Sequence, residues 1–388
     1  MGLVMRFEFA TASRIIFGHG TVKEVAPLAS KMGNYALIVT GRNVERAIPL
    51  LESLNNTGMK TFIFSVSEEP TIKLVSEGVQ TARQNACEVV IGIGGGSVID
   101  TAKAIAAMLT NSGDIMDYLE VIGQGKILTN APAPCIAIPT TAGTGAEVTR
   151  NSVLTSPEHK VKVSLRSHMM LPDLAVVDPE LTYSMPPSIT ASTGLDALTQ
   201  IIESFVSVES NPLTDAICLD GLKRAARSLH QAFEDGSNTA ARDNMAIVSL
   251  YGGLALANSK LGAVHGFAGP MGAMFSAPHG VICARLLPFV MEVNVRVLQR
   301  HSYQQFLLRY DEVAKVLTGK SDARAEDGTV WILDLCETLD VPALSNYGIT
   351  EDHFTELVAR SKKASSMKGN PVKLTDEELK EILRKAVT

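Results

Sequence analysis

Residues 91–100, IGIGGGSVID, constrain this chain more than any other segment. An apolar run of strand character enters three consecutive glycines, Gly94, Gly95 and Gly96, and leaves into a helical pattern at Ser97. Glycine lets a backbone approach an anion closely, and the N–H groups at a helix N-terminus point toward it. Two readings fit: a loop that holds phosphate, or a tight β–α turn with no ligand. The run Gly92-x-Gly94-x-x-Ser97 lacks the third glycine of the ordinary dinucleotide fingerprint, and no Gly-Lys-Ser/Thr follows as in a nucleoside triphosphate loop. A second turn at 139–149, PTTAGTGAEVT, follows another apolar run and carries the hydroxyls of Thr140, Thr141 and Thr144. Polar glycine turns at the carboxyl ends of neighbouring parallel strands are where open α/β sheets bind ligands, so the pair favours a dinucleotide site.

The surrounding pattern agrees with a parallel sheet. Short apolar runs at 35–40, 61–65, 89–93, 135–138 and 174–177 read as strands buried on both faces. Segments with three- and four-residue apolar spacing, such as Ile72, Val75, Val79 and Ala82, lie between them. This alternation predicts a doubly wound α/β domain. From about Asp178 the strand-like runs stop, and 178–190 is rich in proline and turn residues. The boundary is placed there, giving an α/β domain over 1–185 and an all-helical domain over 186–388. Near the end, Thr375 and Glu378 form a capping box ahead of Leu379 and Ile382.

The chain's 388 residues suit two domains, and its 46% hydrophobic content suits a globular protein. With 35 Lys plus Arg against 41 Asp plus Glu and no basic run, nucleic-acid binding is not expected. No apolar stretch reaches the ~20 residues of a membrane span. Five widely spaced cysteines, without a C-x-x-C pair and with no secretory segment after Met1, read as reduced, buried thiols in a cytoplasm.

In the helical half, Asp196, Gln200 and Glu203 recur at i, i+4 and i+7 on one helix face, flanked by Leu195, Leu198, Ile201 and Ile202. A helix this apolar is buried, so its acids require partners. His265 and His279 lie in a nearly uncharged segment, 261–280. Each histidine reads either as a hydrogen-bonded core residue or, with Asp196, as a ligand of a divalent metal with an open position.

Together the four motifs GGGSVID, PTTAGTGAEVT, GLDALTQIIE and HGFAGPMGAMFSAPHG resemble, in order, the iron-containing alcohol dehydrogenase family. The resemblance implies a dinucleotide-binding domain, a helical metal and substrate domain, an active-site cleft between them, and a homodimer. It further implies NAD- or NADP-dependent hydride transfer with a small alcohol or aldehyde. Residue by residue, Gly95, Gly96, Ser97 and Asp100 match the pyrophosphate loop. Thr140, Thr141 and Thr144 match residues lining the cofactor, Lys162 one reaching the ribose, and Leu181 one against the adenine. Asp196, His265 and His279 match three metal ligands and carry the catalytic assignment.

The chain departs from the family pattern at three places. Gln200 stands where the family has a ligating histidine, and an amide oxygen is a poorer ligand, so both iron and zinc stay open, zinc as in glycerol dehydrogenases, as does a metal-free or degenerate nucleotide-binding member. Gly269 stands where a proton-relaying histidine is frequent. Gly41, followed by Arg42, replaces the acidic residue that favours NAD, which points to NADP as well as NAD. Phe267 and Asn151 are expected in the substrate pocket, and Arg150 either contacts an acidic substrate or forms a surface pair. A phosphorylated substrate, as in the related sugar-phosphate cyclases, is not expected, since 261–280 contains no Lys or Arg.

Overall fold

The computed structural model describes residues 6–67 and 69–388. Backbone packing divides the described residues into two compact units, one within 11–185 and one of 6–10 with 186–388. The first residues differ in this from the expected domain limits: the Ala10 N–H donates to Asn258 Oδ1, and Asn258 Nδ2 donates back to the Ala10 carbonyl.

The α/β unit is built on strands β1 (Ile15–Phe17), β2 (Tyr35–Gly41), β3 (Lys60–Val66), β4 (Val89–Gly94), β5 (Cys135–Pro139) and β8 (Leu174–Val177). They pair in parallel in the order β1-β8-β5-β4-β2-β3. Strands β6 (Asn151–Ser156) and β7 (Val161–Arg166) form a separate antiparallel hairpin. Alternation along the strands feeds two cores. Leu37, Val39 and Val90 pack with helices α3 (Ile72–Gln84) and α4 (Gly96–Thr110), whereas Ile38, Ile91 and Ile93 pack with α1 (Val25–Ala29) and α2 (Ile48–Asn56). The five strands expected from apolar runs are all present. The sequence reading missed β1, which has three residues, and the hairpin, whose residues are largely polar or half-buried.

Strand order reverses between β2 and β4, whose carboxyl ends carry Gly41 and Gly94. This is the switch point at which open α/β sheets bind ligands. Three glycines are required sterically here: a Cβ on Gly94 would lie 2.6 Å from Val98 Cγ2. A Cβ on Gly92 would lie 2.8 Å from Ala102 Cβ, and one on Gly96 would lie 2.8 Å from Thr144 Oγ1.

A buried lysine ties the threonine turn to α4. Lys103, with no exposed side-chain surface, ion-pairs with Asp100 Oδ1 at 3.0 Å. It donates to the Ala146 carbonyl at 2.9 Å, Thr149 Oγ1 at 2.9 Å and the Asn151 carbonyl at 2.5 Å. Glu147, in the same turn, is 1% exposed, and its Oε2 makes no hydrogen bond. Burial pushes its carboxyl up to about 7, against the pull of its own backbone N–H and of Lys103.

The helical unit contains α5 (Pro187–Val206), α6 (Pro212–Glu234), α7 (Thr239–Asn258), α8 (Ala263–Met274), α9 (His279–Arg300), α10 (Gln304–Thr318), α11 (Ala325–Thr338), α12 (Phe354–Ser361) and α13 (Asp376–Val387). The expected capping box opens α13: Thr375 N donates to Glu378 Oε2 at 2.8 Å, and Glu378 N to Thr375 Oγ1 at 3.3 Å. Among the described residues no single helix is long and apolar enough to cross a membrane. All five cysteines are buried and unbridged.

Glu147 generates a pH prediction. Its folded pKa of about 7 lies above the ordinary 4.5, so the folded protein holds a proton that the unfolded chain has shed. The stability this allows is present below pH 4.5 and is lost as pH rises through about 7. Glu147→Gln removes the dependence. Its stability relative to the wild type, measured by urea denaturation, should improve by about 2 kcal/mol between pH 5 and pH 8. An unchanged difference at the two pH values contradicts the assignment.

Candidate metal centre and nucleotide loops

Three helices of one unit assemble the polar cluster. Helix α5 is almost wholly buried and presents Asp196 (2% exposed), Gln200 (2%) and Glu203 (4%) one turn apart on one face. Buried carboxylates persist only with hydrogen-bonding or charged partners. Glu203 finds its partners at the start of α8. Its Oε1 accepts from Val264 N at 2.7 Å, and its Oε2 accepts from His265 N at 3.3 Å and from His265 Nδ1 at 2.7 Å. Asn370 Oδ1 accepts from Ala263 N. The first N–H groups of α8 are thus capped by side chains, and a carboxylate sits at the positive end of that helix. Gly262 leaves the room, since a Cβ there would stand 2.8 Å from Glu203 Oε1.

With Nδ1 held by Glu203, the ring of His265 turns Nε2 toward Asp196 Oδ1 at 3.3 Å. His279, in the first turn of α9, places Nε2 3.7 Å from the same oxygen. Its position depends on Gly280: a Cβ there would come 2.3 Å from the Ser192 carbonyl of α5, so only glycine lets α9 start so close. Asp196 Oδ1 is buried and accepts no hydrogen bond. Cys283, one turn after His279, completes a group whose donor atoms lie within 4.8 Å of one another: Asp196, His265, His279 and Cys283. Its Sγ is 3.7 Å from His265 Nε2 and 3.6 Å from His279 Nε2.

Burial alone would raise the Asp196 carboxyl, but the facing His279 and His265 outweigh it and leave it below its ordinary value. Burial favours the neutral ring of His265, yet Cys283, Asp196 and Glu203 together raise its pKa well above the usual. Burial pushes the Cys283 thiol up to about 12, against the pull of His265.

Gln200 stands beside this group. Its Nε2 donates to Asp196 Oδ2 at 3.4 Å, and its Oε1 faces Gly252 of α7, where a Cβ would lie 2.7 Å away. Gly269 borders open space, with no atom within 4 Å of an added Cβ. Phe267 is completely buried and belongs to the core, because α8 turns that face inward, so it lines no pocket. Arg150 pairs with His168 at 2.8 Å.

In the α/β unit the two glycine-bearing loops come together as expected, on adjacent strands β4 and β5. Thr140 N donates to the Gly94 carbonyl at 2.9 Å, and the Thr141 and Thr144 side chains face Gly95 and Gly96. Gly96 and Ser97 start α4, whose N-cap is Gly95. Asp100 points elsewhere: its Oδ1 is held by Lys103 and its Oδ2 accepts from Val153 N at 2.9 Å, so it braces the hairpin. Lys162 is paired with Glu69 at 2.6 Å. Leu181 packs against the apolar layer of α1 and α2. Gly41 ends β2 with room beside it, its nearest neighbour for an added Cβ being Val98 Cγ2 at 4.0 Å, and Arg42 is exposed.

Comparison with known proteins places the chain in context. Residues 12–179 match the family described as "Iron-containing alcohol dehydrogenase", and residues 190–387 match "Fe-containing alcohol dehydrogenase family, C-terminal". Alcohol dehydrogenase 4 of Saccharomyces cerevisiae (strain YJM789) is 36% identical over 377 residues, covering 95% of this chain and 96% of the yeast protein. The crystal structure of 1,3-propanediol oxidoreductase superposes with a TM-score of 0.91 at 32% identity, covering 98% of this chain and 100% of that one. That of sulfoacetaldehyde reductase from Bifidobacterium kashiwanohense in complex with NAD+ superposes with a TM-score of 0.86 at 31% identity, covering 99% of each.

The cap on α8 is testable without any ligand. Glu203→Ala strips three buried donors of their acceptor and should cost about 3 kcal/mol of stability, read by chemical denaturation of the full chain. A loss below about 1 kcal/mol would show that solvent satisfies those donors instead.

Proposed function

The chain belongs to the iron-containing alcohol dehydrogenase family, and from that premise we propose that it transfers hydride between a nicotinamide dinucleotide and a small alcohol or carbonyl substrate. An oxidoreductase of alcohol dehydrogenase type is what the membership establishes; cofactor, metal and residue roles are our reading. The observation that carries it is the convergence of Asp196 Oδ1, His265 Nε2 and His279 Nε2, with that carboxylate oxygen buried and accepting no hydrogen bond.

These three groups suit a divalent cation. When bound, such an ion supplies Lewis acidity at the substrate oxygen, so that hydride passes without a strong side-chain acid. The protein's own contribution is orientation. Glu203 holds the His265 ring through Nδ1, which turns Nε2 toward Asp196, and Gln200 holds the second oxygen of Asp196. His279 is the member of the group most open to solvent, its side chain 36% exposed against 8% for His265, so substrate approaches from its side. Gly269 carries no side chain to relay a proton, and solvent takes that part.

The α/β unit is read as the dinucleotide domain. The N-terminus of α4 at Gly95, Gly96 and Ser97 meets the pyrophosphate, beside the hydroxyls of Thr140, Thr141 and Thr144. Support comes from the switch-point position of the loops and from the NAD+ named in the sulfoacetaldehyde reductase structure. Lys162 and Leu181 are assigned to the ribose and adenine ends on the resemblance, Lys162 exchanging its Glu69 partner for the ribose. Gly41 and Arg42 admit the 2′-phosphate of NADP, because no carboxylate repels it there and a guanidinium stands beside it. A cytoplasmic homodimer completes the reading on the family resemblance.

Two variants test it. His265→Ala, assayed with NADPH and NADH against a panel of short aldehydes, should lose turnover and bound metal together; retained full activity would refute the assigned role. Gly41→Asp, for which space exists, should raise the KM for NADPH at least tenfold more than that for NADH. Equal effects on both cofactors would remove Gly41 from the nucleotide site.

A further inference from the structure

We propose that Cys283 supplies, as a thiolate, the fourth protein donor of the Asp196–His265–His279 centre, which makes that centre selective for zinc over iron. The proposal rests on the reading above that these residues hold a divalent ion.

The first argument is placement. Cys283 follows His279 by four residues on α9, so both side chains leave the same helix face toward Asp196. The thiol is fully buried, yet its Sγ lies beside two imidazole nitrogens, His265 Nε2 and His279 Nε2. Among the described residues it belongs to the one group of three or more His, Cys, Asp and Glu donors that converge closely enough to hold an ion. Gln200, which occupies the chain position of the family's remaining ligand, turns its amide oxygen to Gly252 and offers its N–H to Asp196. The vacated coordination place is therefore open to Cys283.

The second argument is metric. Tetrahedral zinc with nitrogen and oxygen donors at roughly 2.05 Å and sulfur at roughly 2.3 Å has donor–donor edges of about 3.3 Å for N···O and about 3.6 Å for S···N. The observed edges are 3.3 and 3.7 Å from Asp196 Oδ1 to the two imidazoles, and 3.7 and 3.6 Å from Sγ to them. Adjacent positions of an octahedron at the same bond lengths would be separated by only about 2.9 and 3.1 Å. These four edges have tetrahedral rather than octahedral lengths. The Asp196 Oδ1 vertex is buried and accepts no hydrogen bond.

The third argument is donor chemistry. Thiolate is a soft ligand that favours zinc, whereas hard oxygen sets favour magnesium, calcium and manganese. On binding, the Cys283 thiol gives up its proton to solvent and forms the sulfur–metal bond.

The test is anaerobic titration of the chelator-stripped full chain with cobalt(II), a spectroscopic stand-in for zinc. The expected result is one equivalent bound, with intense visible bands of tetrahedral cobalt and a near-ultraviolet thiolate-to-cobalt charge-transfer band. Cys283→Ser should lose the near-ultraviolet band and bind zinc at least tenfold more weakly in a competition with a chromophoric chelator. It should also narrow the preference for zinc over iron(II) at least tenfold. The wild-type spectrum decides by itself if the variant does not fold. One equivalent of cobalt without the charge-transfer band, lost on His265→Ala, overturns the role of Cys283 and leaves the three-donor reading standing. No uptake of cobalt or zinc by the wild type overturns that reading and the present proposal together.

Discussion

Carboxylates carried on a buried helix face dictate how the helical unit is put together. Asp196 and Glu203 are 2% and 4% exposed, and an isolated charge at such depth is too costly to persist. Each is resolved by drawing in the start of another helix. Glu203 takes the N–H groups that open α8 and so fixes the position of the His265 ring. Asp196 faces the two imidazoles that α8 and α9 deliver. Gly262 and Gly280 are the steric condition, since any side chain there would strike Glu203 or the Ser192 carbonyl. Folding and site construction are thus the same set of interactions.

The α/β unit follows a different logic. Its sheet is apolar on both faces and offers chemistry only where strands end, at the reversal of strand order beside Gly41 and Gly94. Close packing of α4 on β4 requires Gly92, and contact with the threonine turn requires Gly96. Lys103 then fastens that turn from inside, using carbonyls of Ala146 and Asn151 and the hydroxyl of Thr149. A loop positioned by a buried ammonium is held far more rigidly than glycines and threonines alone would allow.

Much of this was legible in the amino-acid sequence, and the failures have physical causes. Strands buried on both faces announce themselves as unbroken apolar runs, which is why 135–138 and 174–177 stood out and the half-exposed hairpin of β6 and β7 did not. The spacing of Asp196, Gln200 and Glu203 showed a shared face, but nothing in the spacing revealed that Glu203 would cap α8 across more than sixty residues. Asp100 and Lys162 fit a family pattern by position, while their carboxylate and ammonium groups are engaged by Lys103, Val153 and Glu69. Phe267 was expected in the substrate pocket, yet helical phase turns it into the core. Cys283 was counted among five ordinary thiols; its i, i+4 relation to His279 was the available signal.

The central claim is that the polar group on α5, α8 and α9 holds one divalent ion. The most direct measurement is a crystal structure of the full chain purified without chelators, with anomalous difference maps collected across the iron and zinc edges. The account predicts a single peak per chain, about 2.0–2.3 Å from Asp196 Oδ1, His265 Nε2 and His279 Nε2. A map without density there in protein soaked with both ions, or a peak elsewhere on the chain only, would contradict it.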